Sequence, residues 1–138
     1  MMLLKRGKSG YSLMELMIVV ALIGVITAIA VPSYLNARYQ ALEHKAITNL
    51  NSFYQAQKLY YFDNPGTSIA PVISDLTPDY ATISDDDGSW TYVVTTSNAG
   101  PPVSFVVTAN HILPDGTASG HTITIDETGS IDTSNWPY

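Results

Sequence analysis

The sequence predicts an α+β protein in which one very long N-terminal helix packs on a small C-terminal antiparallel sheet. Three observations carry this. A mostly apolar stretch with a single charge fills residues 13–31. An apolar pattern in steps of three and four follows it, through Leu35, Tyr39, Leu42, Ala46, Leu50 and Phe53, as an amphipathic helix requires. Beyond residue 89, short alternating segments separated by turn residues read as strands. The chain of 138 residues is of single-domain length. It divides into a leader at 1–10, a helix over 11–62 and an acidic head over 63–138.

The leader is basic, with Lys5, Arg6 and Lys8, and ends on Gly10. From Leu13 to Val31 the only charge is Glu15, and eleven residues are Leu, Ile or Val. Nineteen residues approach the roughly 20 needed to cross a bilayer core. The aliphatic residues favour insertion by about −5 kcal/mol. A carboxylate at the bilayer centre costs on the order of 3 kcal/mol, and less near one end, where Glu15 sits. Insertion therefore wins. With cations before the segment and none after it until Arg38, the N-terminus is placed in the cytoplasm and the remainder outside. A cleaved secretory signal is one alternative, with Ala28, Ala30 and Ala37 as small-residue sites, but the apolar run is long for one. A plain anchor would have no use for Glu15.

Gly24 and Pro32 fall inside the expected helix. Pro32 has no amide to donate and its ring crowds the carbonyl of Ala28, so a kink or a locally melted turn is expected there; a tolerated membrane-helix proline is the plainer reading. The amphipathic half continues through Gln57 to Tyr61 and ends by Asn64-Pro65-Gly66. Counted from Tyr11, about 50 residues at 1.5 Å each make a rod of roughly 75 Å. No isolated small domain needs such a rod. Its inner half calls for other subunits, with Leu13, Leu16, Val20, Ile23 and Ile26 available to pack on neighbouring helices.

Residues 63–89 read as a polar connecting loop, with turns at Pro65-Gly66, Pro78-Asp79 and Asp85-Asp86-Asp87-Gly88. Strands are expected at Trp90–Thr96, Val103–Ala109 and His121–Asp126, the first two separated by Asn98-Ala99-Gly100-Pro101-Pro102. Asp126-Glu127-Thr128-Gly129 turns into a last short strand near 130–133. The tail offers Trp136 and Tyr138 for packing. With no cysteine in the chain, disulfides, Cys-ligated zinc and CxxCH-attached haem are excluded.

From Asp63 onward there are ten Asp or Glu residues and no Lys or Arg. Such a head cannot neutralise phosphates, so nucleic acid is not a partner for it. Asp85, Asp86 and Asp87 supply oxygens that a hard cation such as calcium could use. The EF-hand pattern fails, because Thr96 stands where its bidentate glutamate belongs, and a solvated acidic loop is the default. His44, His111 and His121 lack metal-ligand spacing, and no nucleophile motif surrounds the serines. No catalytic residue, metal or cofactor is assigned.

The run from Gly10 through Tyr11, Glu15 and on to Gly24, with Pro32 after Ala30-Val31, resembles the class III leader junction of type IV pilins and pseudopilins. The resemblance covers residues 1–42. It implies a prepilin peptidase that cuts between Gly10 and Tyr11 and methylates the Tyr11 nitrogen; phenylalanine or methionine is more usual at that position. It also implies a ladle-shaped α+β fold, partial unwinding near Pro32 in the filament, and a glutamate fifth in the mature chain, here Glu15. Pairing of Glu15 with the Tyr11 amine of the next subunit would fix axial register. The function implied is that of a structural subunit of an extracellular pilus serving attachment or motility. Before assembly it would be a single-pass inner-membrane protein, and its partners would be its own copies, the peptidase and an inner-membrane assembly platform. A type II secretion pseudopilin, a calcium-dependent adhesin or minor tip subunit, and a membrane-anchored enzyme are the competing classes.

Overall fold

The computed structural model describes residues 10–65, 69–76, 79–82, 84–97 and 104–137. Several sequence expectations lie outside them: the basic leader residues, the turn residues Gly66, Pro78 and Asn98–Pro102, the strand start at Val103, and Tyr138. The chain's contacts divide it into two units, Met1–Arg38 and Tyr39–Tyr138. One helix, α1 (Leu13–Asp63), supplies residues to both.

In the second unit the sheet is a meander of four antiparallel strands in sequential order: β1 (Trp90–Ser97), β2 (Ser104–Ile112), β3 (Ala118–Asp126) and β4 (Ile131–Asp132). β2 alternates between partly exposed and buried residues along its whole length, the signature of an antiparallel sheet with one face on a core. Its buried positions are Phe105, Val107, Ala109 and His111. Trp90, Tyr92 and Val94 of β1 join them, with Ile123 and Ile125 of β3. From the helix come Ala46, Leu50, Phe53 and Ala56, spaced by four, three and three as one face of a helix demands.

Contacts climb α1 in order. Tyr39 meets Trp136 edge-on at 6.2 Å. Phe53 lies 5.2 Å from Tyr92, and Tyr54 6.2 Å from Phe105. Tyr60 then meets Tyr80 at 5.5 Å. Trp136, only 6% exposed, closes the tail against Trp90 at 5.1 Å and His111 at 5.2 Å, so aromatic packing holds a C-terminal region that has no cysteine.

The stretch after the helix departs from the polar loop that composition suggested. Ile69, Ala70, Ile73, Leu76 and Ala81 are all buried, and a 3-10 turn spans Ile73–Asp75. Its apolar residues are too irregularly spaced to read as an element, yet they belong to the same buried core as the helix and the sheet. β3 also begins three residues earlier than expected, and its register against β2 slips between Asn110 and Ile112. Gly120 sits at that irregularity with φ of +81°, a conformation that costs glycine little and other residues much.

Candidate functional site

The first unit is defined by what it does not bury. Every described residue from Gly10 to Arg38 is exposed, including Leu16 at 61%, Val20 at 61% and Ile29 at 71%. The stretch is long and apolar enough to cross a membrane, by length and composition. A helix apolar on every side is at home only in lipid or among other helices.

The residues ahead of it are Gly10, Tyr11 and Ser12, outside the helix and exposed. A Cβ placed on Gly10 would meet nothing within 4 Å, so the fold itself imposes no glycine there. The amide of Leu16 donates to the Ser12 carbonyl at 3.1 Å, which closes the first turn with Glu15 inside it. Ser12-Leu13-Met14-Glu15 has the spacing of a capping box. The first turn is also where the helix dipole favours a carboxylate. Glu15 is thus placed at a helix start, exposed, four residues from Tyr11.

Gly24 and Pro32 lie within α1, which remains helical across both. The turn at Pro32 is therefore not melted in this state of the chain. Helical φ suits proline, and the missing amide removes a single bond. Nearby hydroxyls bond back to the helix: Thr27 donates to the carbonyls of Ile23 and Gly24, and Ser33 donates to that of Ile29 at 3.3 Å. A Cβ on Gly24 would meet nothing within 4 Å. Glycine costs about 1 kcal/mol relative to alanine inside a helix, and no contact among the described residues offsets it.

The aspartates of the second unit do not converge. Asp87 points to the helix: its carboxylate lies 3.0 Å from the Lys45 ammonium and accepts from Asn49 Nδ2 at 3.0 Å, Tyr92 Oη at 2.8 Å, and the amides of Ser89 and Trp90 at 3.0 and 2.9 Å. Partial burial alone would raise its pKa, but the bonds from Lys45, Tyr92 and the two amides outweigh that and hold the carboxyl below its ordinary value. Burial, reinforced by the Asp87 charge against a smaller opposing bond from Asn49, pushes the Tyr92 hydroxyl well above its ordinary range. Asp86 accepts from the Gly88 amide at 2.7 Å and Asp85 from the Ser84 hydroxyl at 3.1 Å. Among the described residues no three acidic or imidazole side chains are placed to share a metal ion. The acidic run is a turn whose third member anchors it to α1. Gln57 escaped notice in the sequence. It is fully buried, and its amide pairs with both backbone groups of Ala70, at 2.9 and 3.0 Å, tying the connecting segment to the helix.

Residues 5–31 match the family described as the prokaryotic N-terminal methylation motif. The type IV major pilin protein PilA of Myxococcus xanthus is 44% identical over 52 residues, 38% of this chain and 24% of that protein. The type IV wide pilus major component PilA4 of Thermus thermophilus is 36% identical over 59 residues, 43% of this chain and 45% of that one. The type II secretion system core protein G of Aeromonas hydrophila is 30% identical over 60 residues, 44% and 42% of the two chains. The chain thus spans less than half the length of each of these curated relatives. No solved structure matches it.

Proposed function

We propose that this chain, which carries the N-terminal methylation motif of type IV pilins, is the precursor of a pilus subunit with no catalysis of its own. The observation that carries the reading is the wholly exposed apolar helix with a single carboxylate in its first turn, led by an accessible glycine junction. A prepilin peptidase cuts between Gly10 and Tyr11 and methylates the new terminus. The leader stays in the cytoplasm, the helix waits in the inner membrane, and an assembly platform there feeds it into an extracellular filament that serves attachment or motility.

Before the cut, the nitrogen of Tyr11 is a neutral peptide nitrogen and offers Glu15 no charge. Cleavage creates an amine whose ordinary pKa lies near 8, mostly charged at neutral pH. Glu15 of one subunit then pairs with the Tyr11 amine of the next, so only processed chains assemble in register. Among packed helices an unpaired carboxylate costs about 3–5 kcal/mol. Pili sheared from cells carrying Glu15→Ala are expected to fall at least tenfold in yield while the cleaved protein accumulates in the membrane. Wild-type yield from that variant refutes the pairing. Gly24 and Pro32 serve the same step, allowing close helix approach and local unwinding as lipid is exchanged for neighbouring subunits.

A second reading is favoured by the likeness to the secretion-system core protein G: a pseudopilin, whose short filament stays in the envelope. The sheared fraction separates the two, since a pseudopilin remains with the cell.

A further inference from the structure

The second unit carries a cavity at one end and an unused aromatic at the other. The cavity, of about 280 Å³, is lined by Tyr39, His111, Leu113, His121, Trp136 and Pro137. It is shaped by the β2–β3 irregularity, where Gly120 takes its left-handed turn and the His121 ring donates from Nδ1 to the Asn135 carbonyl at 3.3 Å. Irregularities of this kind re-aim side chains at the rims of sheets. At the far end of the helix Phe62 is 80% exposed, with Leu59 one turn back at 49%. Among the described residues Phe62 exceeds every other large apolar residue of the second unit in exposure. Tyr39 and Phe62 belong to one helix, and 23 residues at 1.5 Å each set them roughly 35 Å apart along its axis.

We infer that the Phe62 ring of one subunit seats in the Tyr39–Trp136 cavity of another, so that second units join end to end. The inference rests on the reading of the chain as a filament subunit and adds a contact outside the apolar helix. Two features select a second copy as the occupant. A hole and a knob at opposite ends of one body make a head-to-tail interface, which propagates instead of closing, as a filament requires. The chemistry also matches. His111 and His121, the two imidazoles of the sequence after Asp63, both line this cavity. Phe62 is followed directly by Asp63, which is exposed. An aromatic side chain with an adjoining carboxylate therefore meets an aromatic cavity with adjoining imidazoles, and T-shaped ring contacts like those inside the cavity are open to it.

The absence of native cysteine permits a direct test in the full-length chain, made as Phe62→Cys, Leu113→Cys and the double variant in native cells. Both positions are exposed. A disulfide needs Cα atoms within about 7 Å, so at this separation no bridge forms within one copy. Oxidised filaments of the double variant are expected to run as a ladder of covalent multimers on a non-reducing gel, and those of each single variant as monomers. Exclusion of Phe62→Cys subunits from filaments that accept Leu113→Cys subunits also supports the contact. Double-variant filaments that yield monomers alone, dimers from Phe62→Cys alone, or a bridge to a different protein overturn it. Wild-type cells that make no filament containing this chain refute the underlying reading instead, and that result is scored separately.

Discussion

The two halves of α1 share one backbone geometry and follow opposite rules of burial. Between Tyr39 and Asp63 the helix buries Ala46, Leu50, Phe53, Ala56 and Gln57 on one face and leaves polar residues such as Asn51, Ser52 and Gln55 outside. Between Leu13 and Arg38 it buries nothing. The twelve Leu, Ile and Val residues of that stretch, at about 1.5–3 kcal/mol each when fully buried, represent roughly 20–35 kcal/mol of unspent hydrophobic free energy. That exceeds the net stability of a typical domain, about 5–15 kcal/mol. The second half is a component of a folded body. The first half is stable only where lipid or other copies surround it.

Removing the first half is the hardest test of this contrast. A chain starting at Tyr39 is expected to be a soluble monomer with an intact sheet, whereas the mature chain stays in detergent, membrane or filament. Size-exclusion chromatography with circular dichroism decides; a shortened chain that unfolds would mean that the second unit depends on the first.

Next in size is the loss of the aromatic closure. Trp136→Ala removes the ring shared by Tyr39, Trp90 and His111, and large-to-small core changes of this kind cost about 3–5 kcal/mol. Urea unfolding of the shortened chain should show that loss, while membrane insertion of the full chain is unchanged. Equal damage to both would blur the division.

Asp87 gives the smallest effect, about 1 kcal/mol at neutral pH for Asp87→Asn. Its direction with pH is fixed by the sign of the shift. The carboxyl is held below its ordinary value in the folded state, so its contribution is complete above the unfolded pKa near 3.9 and disappears as pH falls through the lower folded value. Thermal melts of wild type and Asp87→Asn should therefore differ at pH 7 and converge only as the pH falls from the ordinary carboxylate value through the lower folded one. A gap that persists at pH 2 would assign the effect to packing.

The long helix and the antiparallel strands were legible because each is written locally, in apolar period and in alternation. What the sequence hid is non-local. Asp87 looked like a cation ligand among acids until the fold brought Lys45 and Asn49 to it from about forty residues upstream. Gln57 carries no local sign that Ala70 will occupy its amide. Ser119-Gly120 does not look like strand, because only the slipped register against β2 makes room for it.

The central claim is that the first half of α1 enters a filament as the mature terminus of the chain. Mass spectrometry of the N-terminal peptide from filaments sheared off native cells tests it most directly. The account predicts an abundant species that begins at methylated Tyr11 and retains Glu15. An uncut Met1 terminus, or a terminus beyond Ala30 with the apolar helix gone, would contradict it.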